Sequence, residues 1–273
     1  MLTVESSEGM HPSLDTWYDR FRFYRHPPSR EEIYAWLSQF AENHSFIAAK
    51  VLDNVVIISD AEVQQAYRDA LARIGGWAKD HEQRKGRWVF LGLGGQAESG
   101  PAMLHMFREA AGLQADRYQE LFKTLADLPR MKLTTEDTVI FVDDFAGSGD
   151  QFIARWETNR ELIASEARIF LFLAAATSKA LTRLADIEDV KIEAGRELAA
   201  HQNILSEECG SFSPEEKLVI LSYCKRADRR NPKGWKDCGL LLVISRKTPN
   251  NSLPILHARS RRWIPLFPRQ LAH

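Results

Sequence analysis

The sequence predicts an α/β fold: an open, mostly parallel sheet with helices on both faces, preceded by an N-terminal helical extension. Three observations predict it. Strand-length apolar runs alternate with helical patterns through the middle of the chain. The run that ends at Val142 is apolar throughout, which suits a parallel strand covered on both faces. Two such runs, before Gly94 and before Asp143, lead through glycine-bearing turns into helices.

Residues 1–80 read as a helical extension packed on the core. Pro27-Pro28 stop one segment, and Ser29 with Glu32 has capping-box spacing ahead of Ile33, Trp36, Leu37 and Phe40 on one face. Ser59 with Glu62 repeats the spacing. It opens a helix that carries Val63, Ala66, Tyr67, Ala70, Leu71 and Ile74 and stops at Gly75-Gly76.

Residues 81–200 read as the α/β core. Strands are expected at 88–93, up to Asp143, at 168–174 and at 190–193. Helices are expected from Pro101, over 116–128, over 150–164 and over 178–185. Residues 201–273 read as a basic C-terminal hood that completes the fold. It holds a helix after the Ser213/Glu216 capping box, a loop at 226–236, a strand at 239–245, a turn at 248–252 and an aromatic tail at 263–268.

The composition is that of a globular protein, with 44% hydrophobic and 27% charged among 273 residues. The longest clearly apolar run, at 169–176, is far too short to span a membrane. The first ten residues lack the pattern of a signal peptide. Cys209, Cys224 and Cys238 form no CxxC pair and read as reduced thiols of a cytosolic protein rather than zinc ligands. The net charge of −1 hides an asymmetry: from Lys225 onward twelve Lys and Arg face two acids, so this segment carries +10 and the rest −11. Such a segment suits nucleic acid or an anionic substrate only if its charges cluster on one face.

The stretch richest in chemistry is Thr-Val-Ile-Phe-Val-Asp-Asp-Phe-Ala-Gly-Ser-Gly-Asp-Gln at 138–151. Asp143 and Asp144 at a strand end can accept hydrogen bonds from the vicinal hydroxyls of a ribose. The small residues Gly147, Ser148 and Gly149 let main-chain N–H groups approach a phosphate at the start of the next helix. Ligands of open α/β sheets bind beyond the carboxyl ends of strands, where the turn at 94–100 also lies. If the two strands are neighbours, the two turns share one crevice.

This stretch resembles the ribose-phosphate motif of type I phosphoribosyltransferases. The resemblance implies that Asp143 and Asp144 hold the ribose hydroxyls of phosphoribosyl pyrophosphate, with Mg²⁺ nearby and indirectly bound. It implies that Phe145, Ala146, Gly147, Ser148, Gly149, Asp150 and Gln151 wrap the 5-phosphate, and that Gly94, Gly95, Gln96, Ser99 and Gly100 form the pyrophosphate loop. Arg117, Lys123, Arg130 and Lys132 lie in the interval from which the family draws helpful cations. Arg246, Asn250 and Asn251 are candidates for the acceptor side, with a plain turn as the alternative. His257 reads as a satisfied polar residue rather than a base.

A narrower resemblance rests on the helical start at 36–40, Phe-Val-Asp-Asp-Phe-Ala-Gly-Ser-Gly at 141–149, Thr-Pro-Asn-Asn-Ser-Leu-Pro at 248–254 and the tail from Trp263 to Arg269. Together these are similar to a divergent branch of phosphoribosyltransferase-like proteins of bacterial conflict systems. It implies a cytoplasmic anti-phage effector, a glycosyltransferase-type toxin, with a retron reverse transcriptase–DNA complex or another defence protein as partner, no membrane, and an oligomer left open.

The motif departs from the family pattern: Gly147 and Gln151 stand where Thr or Ser is usual, and Asp150 where Gly is usual. An acid there repels phosphate unless it turns away as a helix N-cap or a Mg²⁺ ion intervenes. The competing reading is therefore a binding module with the same pocket and no turnover. A phosphorelay receiver also ends a strand in paired aspartates, but near its domain start and without the Gly-Ser-Gly turn.

Overall fold

The computed structural model describes residues 11–93, 99–163 and 166–269. The chain divides into two compact units, one of residues 1–60 and 201–273, the other of residues 61–200.

The first unit opens with α1 (Leu14–Phe21), α2 (Arg30–Leu37), α3 (Ser45–Asp53) and the short strand β1 (Val56–Ile58). The expected capping box of α2 is formed: Ser29 Oγ accepts from Glu32 N and Glu32 Oε2 accepts from Ser29 N. β1 was not expected, since three residues are too few to show a period.

The second unit begins within α4 (Asp60–Arg73) and runs through β2 (Trp88–Gly92), α5 (Ser99–Ala110), α6 (Leu128–Met131), β3 (Thr138–Ala146), α7 (Asp150–Asn159), β4 (Arg168–Thr177), α8 (Ser178–Ala185) and β5 (Val190–Leu198). Its four strands form one parallel sheet in the order β2-β3-β4-β5. One face carries Val89, Leu91, Val139, Phe141, Ile169 and Leu171 against Phe152 and Trp156 of α7 and Leu184 of α8. On the other face Phe90 meets Phe107 of α5 at 4.7 Å between ring centroids, and Phe107 meets Phe172 and Tyr67 of α4. Apolar residues at both parities of each strand are what a doubly covered sheet demands.

Two expectations for this unit differ from the fold. Residues 116–128 form 3₁₀ turns rather than a regular helix, because Phe122 pairs beside Phe90 on the edge of β2 and Thr124 caps a fresh turn. β5 runs five residues past its expected end. Glu193, Arg196 and Glu197 belong to a strand at the sheet edge, where charged side chains are at home and apolar patterning fades.

The chain then returns to the first unit with α9 (Pro214–Ala227), β6 (Leu242–Ile244) and α10 (Pro254–His257). β6 pairs in parallel with β1. The N-terminal helices and the C-terminal segment share one core, containing Trp17, Phe21, Trp36, Phe40, Tyr223, Trp263 and Phe267. Trp36 and Trp263 both donate from Nε1 to the Ile255 carbonyl, at 2.9 and 2.8 Å. Cys209, Cys224 and Cys238 are buried free thiols. Among the described residues no helix is long and apolar enough to cross a membrane.

Candidate functional site

β2 and β3 lie side by side and parallel, so their carboxyl ends lie at the same end of the sheet. Ser99, the first residue of α5, donates from Oγ to Asp143 Oδ1 at 2.7 Å. The main-chain N–H of Asp144 donates to the same oxygen at 3.0 Å. From α4, the Tyr67 hydroxyl donates to the Asp143 carbonyl at 2.9 Å. Asp143 is only 3% exposed, while Asp144 is partly open. Burial, and next the adjacent charge of Asp144, push the Asp143 carboxyl well above the ordinary carboxylate range. Asp144 is the more accessible carboxylate of the two.

The bend that follows is built by three parts of the chain. Gly149 is the N-cap of α7 at φ +77°, a left-handed conformation that glycine adopts without strain. Thr177, at the end of β4, donates from Oγ1 to the Gly147 carbonyl at 2.6 Å and accepts from Ala180 N. Arg183 of α8 donates from Nη1 to the Ser148 carbonyl at 2.5 Å and to Asp150 Oδ1 at 2.6 Å. Ser148 Oγ donates to the other Asp150 oxygen at 2.9 Å. The carbonyls of Gly147 and Ser148 are therefore engaged. Among the described residues nothing accepts from the amides of Gly147, Ser148 or Gly149. Three consecutive N–H groups of buried residues at the start of a ten-residue helix have the arrangement of an anion-binding bend.

Asp150 is not the N-cap that the sequence suggested. Gly149 takes that place because the chain enters α7 through a left-handed residue, and Asp150 occupies the first helical position. Its carboxylate is held by Arg183 and Ser148 instead, so the bend presents neutralised charge rather than a bare acid.

A family model named PRTase-CE matches residues 33–269. The chain belongs to the PRTase-CE family. No curated protein matches the chain. The protein is thus phosphoribosyltransferase-like, and the match covers the paired acids, the Gly-Ser-Gly bend and the α/β sheet that presents them.

Of the remaining expected residues of this phosphoribosyltransferase-like chain, Gly94, Gly95 and Gln96 lie outside the described residues, and Gly100 is buried in the first turn of α5. Phe145 and Ala146 end β3, and Gln151 is an exposed residue of the first turn of α7. Arg130 and Lys132 sit at the wrong end of the sheet. Arg87, just before β2, donates to the Met131 and Lys132 carbonyls and anchors that segment opposite the bend. Arg117 is exposed and lies over the Tyr118 ring, and Lys123 donates from its main chain to Phe90 O on the β2 edge.

Arg246, Asn250 and Asn251 belong to the first unit. Arg246 pairs with Asp60 at 3.4 Å. Asn251 Nδ2 donates to the Trp235 carbonyl and to Cys238 Sγ, both at 3.2 Å, while the Asn250 carbonyl accepts from Trp235 N. These bonds tie the segment to Asp60 and to residues 235–238 of the same unit. His257 bonds through Nε2 to the Ser252 carbonyl at 3.1 Å, and burial lowers its pKa to about 4.

Tyr67, Thr177 and Arg183 were missed by the sequence reading. Each is at least 30 positions along the chain from the site residue it bonds, with only ordinary helix or strand patterning around it. Among the described residues no group of three or more His, Cys, Asp or Glu converges as a metal site. The Asp144 carboxylate fits Mg²⁺ only in the manner usual for that ion, one or two carboxylates with the other oxygens from substrate phosphates and water.

Proposed function

We propose that this site binds a ribose 5-phosphate ligand, phosphoribosyl pyrophosphate or a nucleotide, and carries out Mg²⁺-dependent phosphoribosyl or nucleotide chemistry as an effector of bacterial anti-phage defence. The observation that carries the reading is the row of three amides at Gly147–Ser148–Gly149 with no acceptor among the described residues, one short step along the chain from Asp143 and Asp144. The phosphate sits on the amides and the helix N-terminus, and the ribose hydroxyls reach Asp144. Asp143, bound by Ser99, holds the pair in place. Bound Mg²⁺ would neutralise the charge of a departing pyrophosphate, with Asp144 as the protein's contribution to its surroundings. The defence role is supported by the resemblance, over nearly the whole chain, to conflict-system proteins.

The test is calorimetric titration of the purified protein with phosphoribosyl pyrophosphate and Mg²⁺, followed by an assay for pyrophosphate release. Saturable binding that Asp144→Asn weakens at least tenfold supports the reading, and absence of any binding overturns it. One observation favours a second reading: the Ser148 hydroxyl is spent on Asp150 and so is withheld from a phosphate. Binding with no release of pyrophosphate would assign the chain to a nucleotide-sensing module that holds a partner complex. Plating phage on cells expressing the wild type and Asp144→Asn tests the defence role, and equal plaque counts would remove it.

A further inference from the structure

The first unit carries a surface unrelated to the paired acids. Four cations, Lys225, Arg226, Arg229 and Arg230, end α9 or follow it directly. Three more, Arg259, Arg261 and Arg262, lie on the turn after α10. The two groups are about thirty residues apart in sequence. The fold brings them together, because Ser260 Oγ donates to the Arg226 carbonyl at 2.8 Å. All seven side chains are exposed, and among the described residues none is ion-paired. The one acid within these stretches, Asp228, caps the Arg230 N–H with Oδ1.

The negative end of the α9 dipole accounts for Lys225 and Arg226. It does not account for the other five, whose mutual repulsion costs stability while no anion is present. Next to them lies a groove of about 560 Å³ lined by His26, Pro27, Trp36, Arg259, Ile264 and Pro265. Ile264 is 58% exposed at its edge. Glu32 is the acid in the groove, and its carboxylate is tied to Ser29 N. Arg259 belongs to both the basic cluster and the groove.

We infer that this face binds single-stranded nucleic acid, with phosphates along the arginines and bases in the groove. Charge complementarity selects a polyanion, and a groove beside the charges that sets the exposed Pro27, Ala35 and Ile264 beside His26 and Gln39 selects one with flat groups of polar edge between its phosphates. A duplex keeps those groups stacked inside. The inference does not rest on the phosphoribosyl reading.

The test is fluorescence anisotropy of a labelled twenty-nucleotide oligo-dT with the full-length protein across a salt series. Binding should weaken steeply with salt. Replacing Arg229, Arg230, Arg261 and Arg262 with Ser should weaken it at least tenfold at low salt and flatten the log–log slope by about three, at roughly 0.7 per lost phosphate contact. Ile264→Ser should weaken binding with the slope unchanged. Both variants replace exposed side chains, and their circular dichroism should match the wild type. No binding at 50 mM salt, or an undiminished affinity in the fourfold variant, overturns the inference. So does tighter binding to a duplex of the same length, or an Ile264→Ser variant that binds as well as the wild type.

Discussion

Burying the Asp143 carboxylate at the end of β3 costs the fold stability at neutral pH, because desolvation and the neighbouring Asp144 both oppose its charge. Its folded pKa is raised, so its proton-linked stability is present below the ordinary carboxylate range and is lost as the pH rises to the raised value. Asp143→Asn keeps both acceptor contacts on Oδ1 and removes the charge. We expect it to raise Tm by a few degrees near neutral pH, about 1 kcal/mol, with the gain shrinking toward pH 4. Thermal melts of both forms across that range check this. A second prediction concerns Arg183, which neutralises Asp150 beside the bend. Arg183→Ala should weaken phosphate-ligand binding about tenfold, as a charge repelling the anion regains its field. The double variant Arg183→Ala with Asp150→Ala should recover most of the loss, and calorimetry of the four-protein cycle measures the coupling. At this scale the acids and small residues were legible, because strand end, acids and turn are contiguous. The difference in burial between Asp143 and Asp144 was not, since Tyr67 and Ser99 arrive from other elements.

Elements here are placed by local rules and then fixed by close contact. The capping boxes at Ser29 and Ser213 form as their spacing requires, and α9 starts at Pro214 directly after its cap. Ser213→Ala should cost about 1 kcal/mol, read as a lower urea midpoint. Contact between elements is less forgiving. Gly195 lies in β5 where an added Cβ would stand 2.2 Å from the Ala66 Cβ on α4. Gly195→Ala should therefore push α4 off the sheet edge at a cost of about 1–3 kcal/mol, with Tm as the measure. In the sequence this glycine is only an interruption of a strand pattern. The demand for a missing side chain comes from α4, about 130 residues earlier.

At the scale of the molecule, the first unit is assembled from the two ends of the chain. Residues 14–55 and 204–267 bury one another's aromatic residues, and β1 finds its partner only in β6. Deleting residues 201–273 should leave α1 to α3 without a core, with a loss of helical ellipticity and a red shift of tryptophan emission. Acid sensitivity also belongs here. His257 is kept neutral by burial, with a folded pKa of about 4 against an ordinary 6.5. A depressed pKa gives stability that is complete above 6.5 and is lost as the pH falls toward 4. His257→Gln should flatten the decline of the urea midpoint between pH 6.5 and 4.5. The sequence by itself determined the α/β alternation, the helix starts and the acid-plus-bend segment, because each is written in periods and spacings of a few residues. Only the tertiary structure decided that Arg183 and Thr177 would shape the bend, that Arg130 and Lys132 would lie at the far end of the sheet, and that two distant arginine groups would share a face. Contacts between side chains far apart in the chain depend on how the elements pack, and nothing local to either partner records that packing.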